Sequence, residues 1–233
     1  MFKFIKNIAT LCLILLIAST STHKDVFYIS EIVGFYDTFT DFNLTKLNNK
    51  HYFKPVSNEW RTQKCESLGF KFNKSSSFLK KNKTTDSLYL LTELDEQFLV
   101  YDDRENCLYM TLLLAICGDK MNYYDLRKKV LNNMRNSKEL LNLIGEENLD
   151  KYLTLKKEKV LNDYASVVEL IATAEYLDVC IYLYVPAFKE WILYYKDWPN
   201  YEKFNMENEH CLYLVKMDVH IFVIVDTKPD VSK

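Results

Sequence analysis

The run from Leu108 to Ile116 is apolar on every side of a helical projection. A helix that offers no polar face to water has to lie in the middle of a domain, covered all round by other elements. Directly before it comes the polar turn Asp102 to Asn106, and Cys107 opens the run. A thiol at a helix start meets the partial positive charge and unpaired N–H groups of the N-terminus, which favour thiolate over thiol. Taken alone, such a cysteine is more often an inert buried thiol or a disulfide partner than a nucleophile.

Around this centre the sequence supplies further helices, then strands. Tyr123 to Arg135 sets Leu126, Val130, Leu131 and Met134 on one face at helical spacing. Two more helical pieces are expected around Ser137 to Ile144 and Glu147 to Lys156. Another runs from about Ala165 to Leu177, with Asp163 as candidate cap and Val167, Val168, Ile171 and Ala174 inward. Phe98 to Tyr101 reads as a short strand. Four β-branched and aromatic runs then close the chain: Val179 to Val185, Trp191 to Tyr195, Cys211 to Val215 and Val219 to Val225. Helices that precede a cluster of strands predict an α+β (mixed α/β) fold, with helices around a small central sheet. The whole chain has 4 glycines, which excludes a Gly-rich phosphate loop. The aromatic cluster Trp191, Tyr194, Tyr195 and Trp198 suits core or sheet-face packing better than a substrate groove.

The two ends of the chain read differently. Lys3 and Lys6, the apolar run Ile8 to Ala18 and the small residues up to Thr22 have the three-part layout of a secretory signal peptide, residues 1–22. The apolar run is shorter than the roughly 20 residues a membrane span needs, so no stable span is expected after cleavage, and the mature protein is expected to be secreted. Residues 23–95 mix isolated aromatics with Asn, Lys, Ser and Thr without a sustained period, and read as an extension. The extension carries glycosylation triplets at Asn43, Asn73 and Asn82, and its flexible linker spans Phe72 to Asp86. The main domain is assigned to residues 96–228. A net charge of −2 and a pI near 6.1 speak against a nucleic-acid partner, and the Lys80-Lys81 and Lys83 cluster reads as a solvated loop. Beyond Cys12 there are Cys65, Cys107, Cys117, Cys180 and Cys211, an odd number, so at least one is unpaired within a monomer. There is no C-x-x-C, and the histidines at 23, 51, 210 and 220 are scattered, so neither a metal nor a cofactor is expected. Nothing in the sequence fixes the oligomeric state.

A late strand carries His220, in Val219-His220-Ile221-Phe222-Val223-Ile224-Val225. Three blocks in order now resemble the ovarian-tumour (OTU) family of cysteine peptidases, most of which are deubiquitinases. Asn106-Cys107-Leu108-Tyr109 is similar to that family's nucleophile turn and helix, and Asp125-Leu126-Arg127 to the Leu-Arg helix that follows. Tyr164-Ala165-Ser166-Val167-Val168-Glu169-Leu170-Ile171-Ala172-Thr173-Ala174 resembles its Trp-Gly-x-x-x-Glu-Leu-x-Ala-x-Ala helix in matching register. The strand from His220 is similar to the strand that holds the family's general base. The resemblance covers Gln97 to Asp226. It implies a thiol isopeptidase acting on ubiquitin or ubiquitin-like conjugates, with Cys107 as nucleophile, His220 as base and backbone N–H groups at the oxyanion.

The chain also departs from the family pattern. Arg104 stands where the family carries an acid, Glu105 replaces a glycine, and Tyr164 replaces the tryptophan. Phe222 occupies the place of the Asp or Asn that orients the imidazole, and phenylalanine accepts no hydrogen bond. Asp102, Asp103 and Asp218 lie near the right segments, and Asp103 is the expected third member. Glu169 is read as a structural helix residue. Two rivals remain: a catalytically degenerate binding module on the same scaffold, and a secreted structural glycoprotein.

Overall fold

The computed structural model describes residues 25–35, 40–74, 91–94, 106–157, 166–218 and 220–227. The helices are α1 (Asn58–Ser67), α2 (Cys107–Cys117), α3 (Tyr123–Asn133), α4 (Lys138–Ile144), α5 (Glu146–Lys157) and α6 (Val167–Leu177). The strands are β1 (Val26–Phe35), β2 (Thr40–Leu47), β3 (Leu91–Leu94), β4 (Cys180–Val185), β5 (Glu190–Tyr194), β6 (Cys211–Met217) and β7 (His220–Thr227). They form one 7-stranded mixed sheet in the order β2-β1-β5-β4-β6-β7-β3. This is the expected α+β arrangement, with helices against a central sheet. No helix among the described residues is long and apolar enough to cross a membrane.

The apolar run becomes α2, and from Leu108 to Cys117 every residue but Met110 is buried. It packs on β7, α1 and α3. Gly118 ends it at φ 70°, a left-handed conformation that glycine adopts without a Cβ clash. The segment Tyr123 to Arg135 is divided. Helix α3 stops at Asn133, a 3-10 turn covers Met134–Asn136, and the Ser137 hydroxyl caps α4 by accepting from the Leu140 N–H at 3.3 Å. Helix α6 begins at Val167, with the first of its apolar positions. Its cap is Ser166 in place of Asp163, which lies outside the described residues along with Ala165. The Ser166 hydroxyl accepts from the Glu169 N–H and the Glu169 carboxylate accepts from the Ser166 N–H, both at 3.2 Å. This reciprocal capping box satisfies two N-terminal donors at once, which a lone aspartate further upstream does not.

The described segments of the extension, 25–35, 40–74 and 91–94, contribute to the same sheet and core. β1 pairs in parallel with β5 and antiparallel with β2, and Val26, Ile29 and Ile32 are buried. Register shifts between Ile29 and Glu31 and between Ile32 and Gly34 break the alternation of the strand. A bulged strand loses the period of two that reveals a half-buried strand in sequence. β2 is an edge strand, largely exposed. Helix α1 is joined to the far end of α2 by the disulfide Cys65–Cys117, closing a sequence separation of 52 residues. Cys107, Cys180 and Cys211 lie outside disulfides. The aromatic cluster belongs to the core: Trp191, Tyr194, Tyr195 and Trp198 are all buried, and the Trp198 Nε1–H donates to the Ile29 carbonyl at 2.8 Å. The strand expected at Phe98 to Tyr101, the linker beyond Lys74 and the signal-like segment lie outside the described residues.

Candidate active site

Strand β3 pairs with β7 between Ile224 and Thr227, leaving the start of β7 to α2. There the first turns of α2 meet the main chain of Ile221. The Ile221 N–H donates to Cys107 Sγ at 3.0 Å, the thiol donates to the Ile221 carbonyl at 3.3 Å, and Thr111 Oγ1 donates to that carbonyl at 2.7 Å. The thiol, half-buried, therefore lies against the backbone of the residue that follows His220. The N–H···S bond strengthens when the sulfur carries charge. The first turn of α2 contains no acidic side chain to offset the positive end of its dipole, and the Asn106 side chain makes no capping bond.

His220 opens β7 opposite Met217 in the β6–β7 hairpin and is partly exposed. Side chains two apart on a strand share a face, and the Phe222 ring lies 6.1 Å from the imidazole, centroid to centroid, at 43°. An apolar ring thus stands in the position from which an orienting acceptor is expected. Asp103 lies outside the described residues, as do Asp102, Arg104 and Glu105. Asp218 is exposed in the hairpin turn at φ 54°. No group of three or more His, Cys, Asp or Glu side chains suited to a metal converges among the described residues.

Behind the thiol, Glu169 fastens α2 to α6. Its Oε1 accepts from the Tyr109 hydroxyl at 3.3 Å, and its Oε2 takes the Ser166 N–H and lies 3.4 Å from Lys156 Nζ. Burial and then the Glu169 carboxylate push the Tyr109 phenol well above its ordinary range, so it stays neutral and donates. The Lys156 and Glu169 side chains are each 3% exposed, a buried pair whose carboxylate is held further by the Tyr109 hydroxyl and the Ser166 N–H. Arg127 Nη2 adds a bond to the Lys156 carbonyl at 3.2 Å. Glu169 is thus the structural residue expected from sequence. Thr111 and Lys156 were not singled out there. Thr111 is a hydroxyl inside an otherwise apolar run, and a buried hydroxyl calls for a partner. That signal was available, although the identity of the partner, a main-chain carbonyl 110 positions away, was not.

Residues 105–220 match the family described as OTU-like cysteine protease. Among solved structures, the OTU domain of OTUD1 is similar at 16% identity, over 51% of this chain and 78% of that one, with a TM-score of 0.41. The viral OTU domain protease from Dera Ghazi Khan virus is similar at 12% identity, over 50% and 72%, with a TM-score of 0.38. An OTU domain solved in complex with ubiquitin is similar at 19% identity, over 53% and 65%, with a TM-score of 0.35. No curated protein matches the chain.

Proposed function

Because residues 105–220 make this chain a divergent member of the OTU-like cysteine protease family, we propose that it is a thiol-dependent isopeptidase acting on ubiquitin or a ubiquitin-like modifier. The observation that carries the reading is the contact of Cys107 Sγ with the Ile221 main chain, one residue from His220. In the proposed reaction His220 accepts the Cys107 proton, and the thiolate attacks the isopeptide carbonyl. N–H groups at the start of α2 hold the oxyanion, and the imidazolium returns its proton to the departing lysine amine. Water then attacks the thioester, with His220 again as base, releasing the modifier's carboxylate and the thiol. Asp103 is the proposed acceptor behind the imidazole. The signal-like start of the sequence supports release from the producing cell, and export into another cell would bring the enzyme to intracellular conjugates. Ubiquitin carrying a C-terminal electrophile should label the protein, and Cys107→Ala should abolish the adduct. Equal labelling of the variant would remove the proposal.

The ring of Phe222 beside His220 favours a second reading, a binding module that has lost turnover. Retained binding to ubiquitin, with no adduct at any pH between 6 and 9, would select it; that window brackets the ordinary ranges of histidine and thiol, about 6.5 and 8.5.

A further inference from the structure

The 8 residues of β2 form the outer edge of the sheet, and among the described residues the strand pairs with β1 alone. That pairing has two irregularities, and the extra residues, Ser30 and Val33, both belong to β1. β2 itself is therefore regular along its length. It contains no proline, and Leu44 on it is 40% exposed. A long regular edge with an exposed aliphatic side chain invites another strand, and folded proteins normally bend, charge or cover such an edge. Charge is present in β2 at Asp41 and Lys46, and the Lys46 ammonium is paired with Asp25 at 2.8 Å. The middle of the strand, Asn43 to Thr45, is uncharged.

That uncharged middle is the triplet Asn43-Leu44-Thr45, an acceptor signature for an N-linked oligosaccharide. All three residues are exposed. Asn43 and Thr45, two apart, share one face of β2, opposite Phe42, which packs on the core. Asn43 Nδ2 donates to Glu31 Oε2 at 3.0 Å, and the Thr45 hydroxyl donates to Ser30 Oγ at 2.9 Å. A primary amide has two N–H groups, so a substituent on Nδ2 can replace one hydrogen while the other keeps the Glu31 bond. Asn73 is placed differently, against the end of α2. Its main-chain N–H donates to the Cys117 carbonyl at 2.8 Å and its Nδ2 to the Gly118 carbonyl at 3.4 Å. Ser75 of that triplet and the whole Asn82 triplet lie outside the described residues.

We propose that Asn43 carries an N-linked oligosaccharide, attached in a secretory lumen, and that this glycan covers the β2 edge. The proposal rests on entry into that lumen, the role given above to the signal-like start, and is independent of the peptidase reaction. Asn43 Nδ2 displaces a lipid diphosphate from the anomeric carbon of a lipid-linked oligosaccharide. The C–N bond forms, the C–O bond to the diphosphate breaks, and Nδ2 gives up one proton as the lipid diphosphate leaves. The attached sugars are bulky and hydrated. Neighbouring strands lie about 4.8 Å apart, a gap that a sugar chain at mid-strand fills, so a second copy cannot add to β2.

The test is cell-free translation of the full chain with endoplasmic-reticulum microsomes, then protease treatment, amide glycosidase in heavy-oxygen water and peptide mass spectrometry. The protease-protected chain should carry the heavy-oxygen mark at position 43. Asn43→Gln and Thr45→Ala should each lose that mark and one glycan, whereas Thr45→Ser keeps both. A protected chain unmodified at Asn43 overturns the site. A chain left open to protease overturns lumen entry and the site with it, while the ubiquitin probe reports on the peptidase separately. Size-exclusion chromatography of protein secreted by a eukaryotic cell line tests the covering role. Asn43→Gln and Thr45→Ala should form oligomers that the glycosylated chain and Thr45→Ser do not, and monomers throughout overturn that role.

Discussion

Cys107 and the Cys180–Cys211 pair occupy opposite environments in the same sheet protein. Cys107 opens a helix, is half-buried, and receives a main-chain N–H from β7. Cys180 and Cys211 open the parallel strands β4 and β6 in direct register and are both 0% exposed. The hydrogen bond to Cys211, then burial, pushes the Cys180 thiol far above its ordinary value near 9. Glu209, 3.9 Å from Cys180 Sγ, adds a like charge to any thiolate formed there. Reactivity follows the donors and charges that the fold gathers around a sulfur: a main-chain N–H at Cys107, a second thiol and the Glu209 carboxylate at Cys180.

The strongest way to break this contrast is turnover. Cys107→Ala should lower cleavage of a ubiquitin-based fluorogenic substrate by on the order of 10³-fold or more, whereas Cys180→Ala and Cys211→Ala keep it within a few-fold. Steady-state kinetics well below the melting temperature decide it. Alkylation sharpens the same point without a substrate. In the folded protein Cys107 should react with iodoacetamide on the order of 100-fold faster than Cys180 or Cys211, a difference that vanishes in denaturant. Peptide mass spectrometry reads all three rates, and equal native rates would end the contrast.

Smaller effects probe what holds each region in place. Cys65→Ser/Cys117→Ser removes the anchor at the far end of α2 and should lower unfolding free energy by about 2–4 kcal/mol in urea titration. Thr111→Val leaves the Ile221 carbonyl with one donor fewer. It should cost about 1–2 kcal/mol of stability and about tenfold in turnover through misplacement of β7 against α2, with Thr111→Ser restoring both. The smallest effect is on the alkaline limb. A thiol whose folded pKa is raised stays protonated while its unfolded counterpart ionises. Stability from Cys180 is therefore complete below about pH 9 and declines as pH rises beyond it. The decline in melting temperature between pH 8.5 and 10 should be shallower in Cys180→Ala.

The helices around α2 and the closing strands were readable because each follows its own period, and most boundaries fall within a residue or two of expectation. Where reading failed, a physical cause is identifiable. β1 carries two register shifts that erase alternation, and β2 is an exposed edge whose residues need no pattern. The start of α6 is set by a reciprocal cap, Ser166 with Glu169, directly before the apolar positions that mark the helix in sequence. For the site, residue types and order brought Cys107 and His220 forward together. The seam that joins their elements is made by Thr111 and the Ile221 backbone, and a main-chain partner has no sequence signature. An odd cysteine count leaves the disulfide pairing open, and the packing of α1 against α2 decides it.

The tie between α1 and α2 makes the stability of that corner depend on the redox state of its surroundings. In an oxidising medium the covalent link persists, and α1 cannot peel away from α2. Thiol-rich cytosol favours the open form, in which local opening of that corner becomes easier and proteolytic half-life shortens.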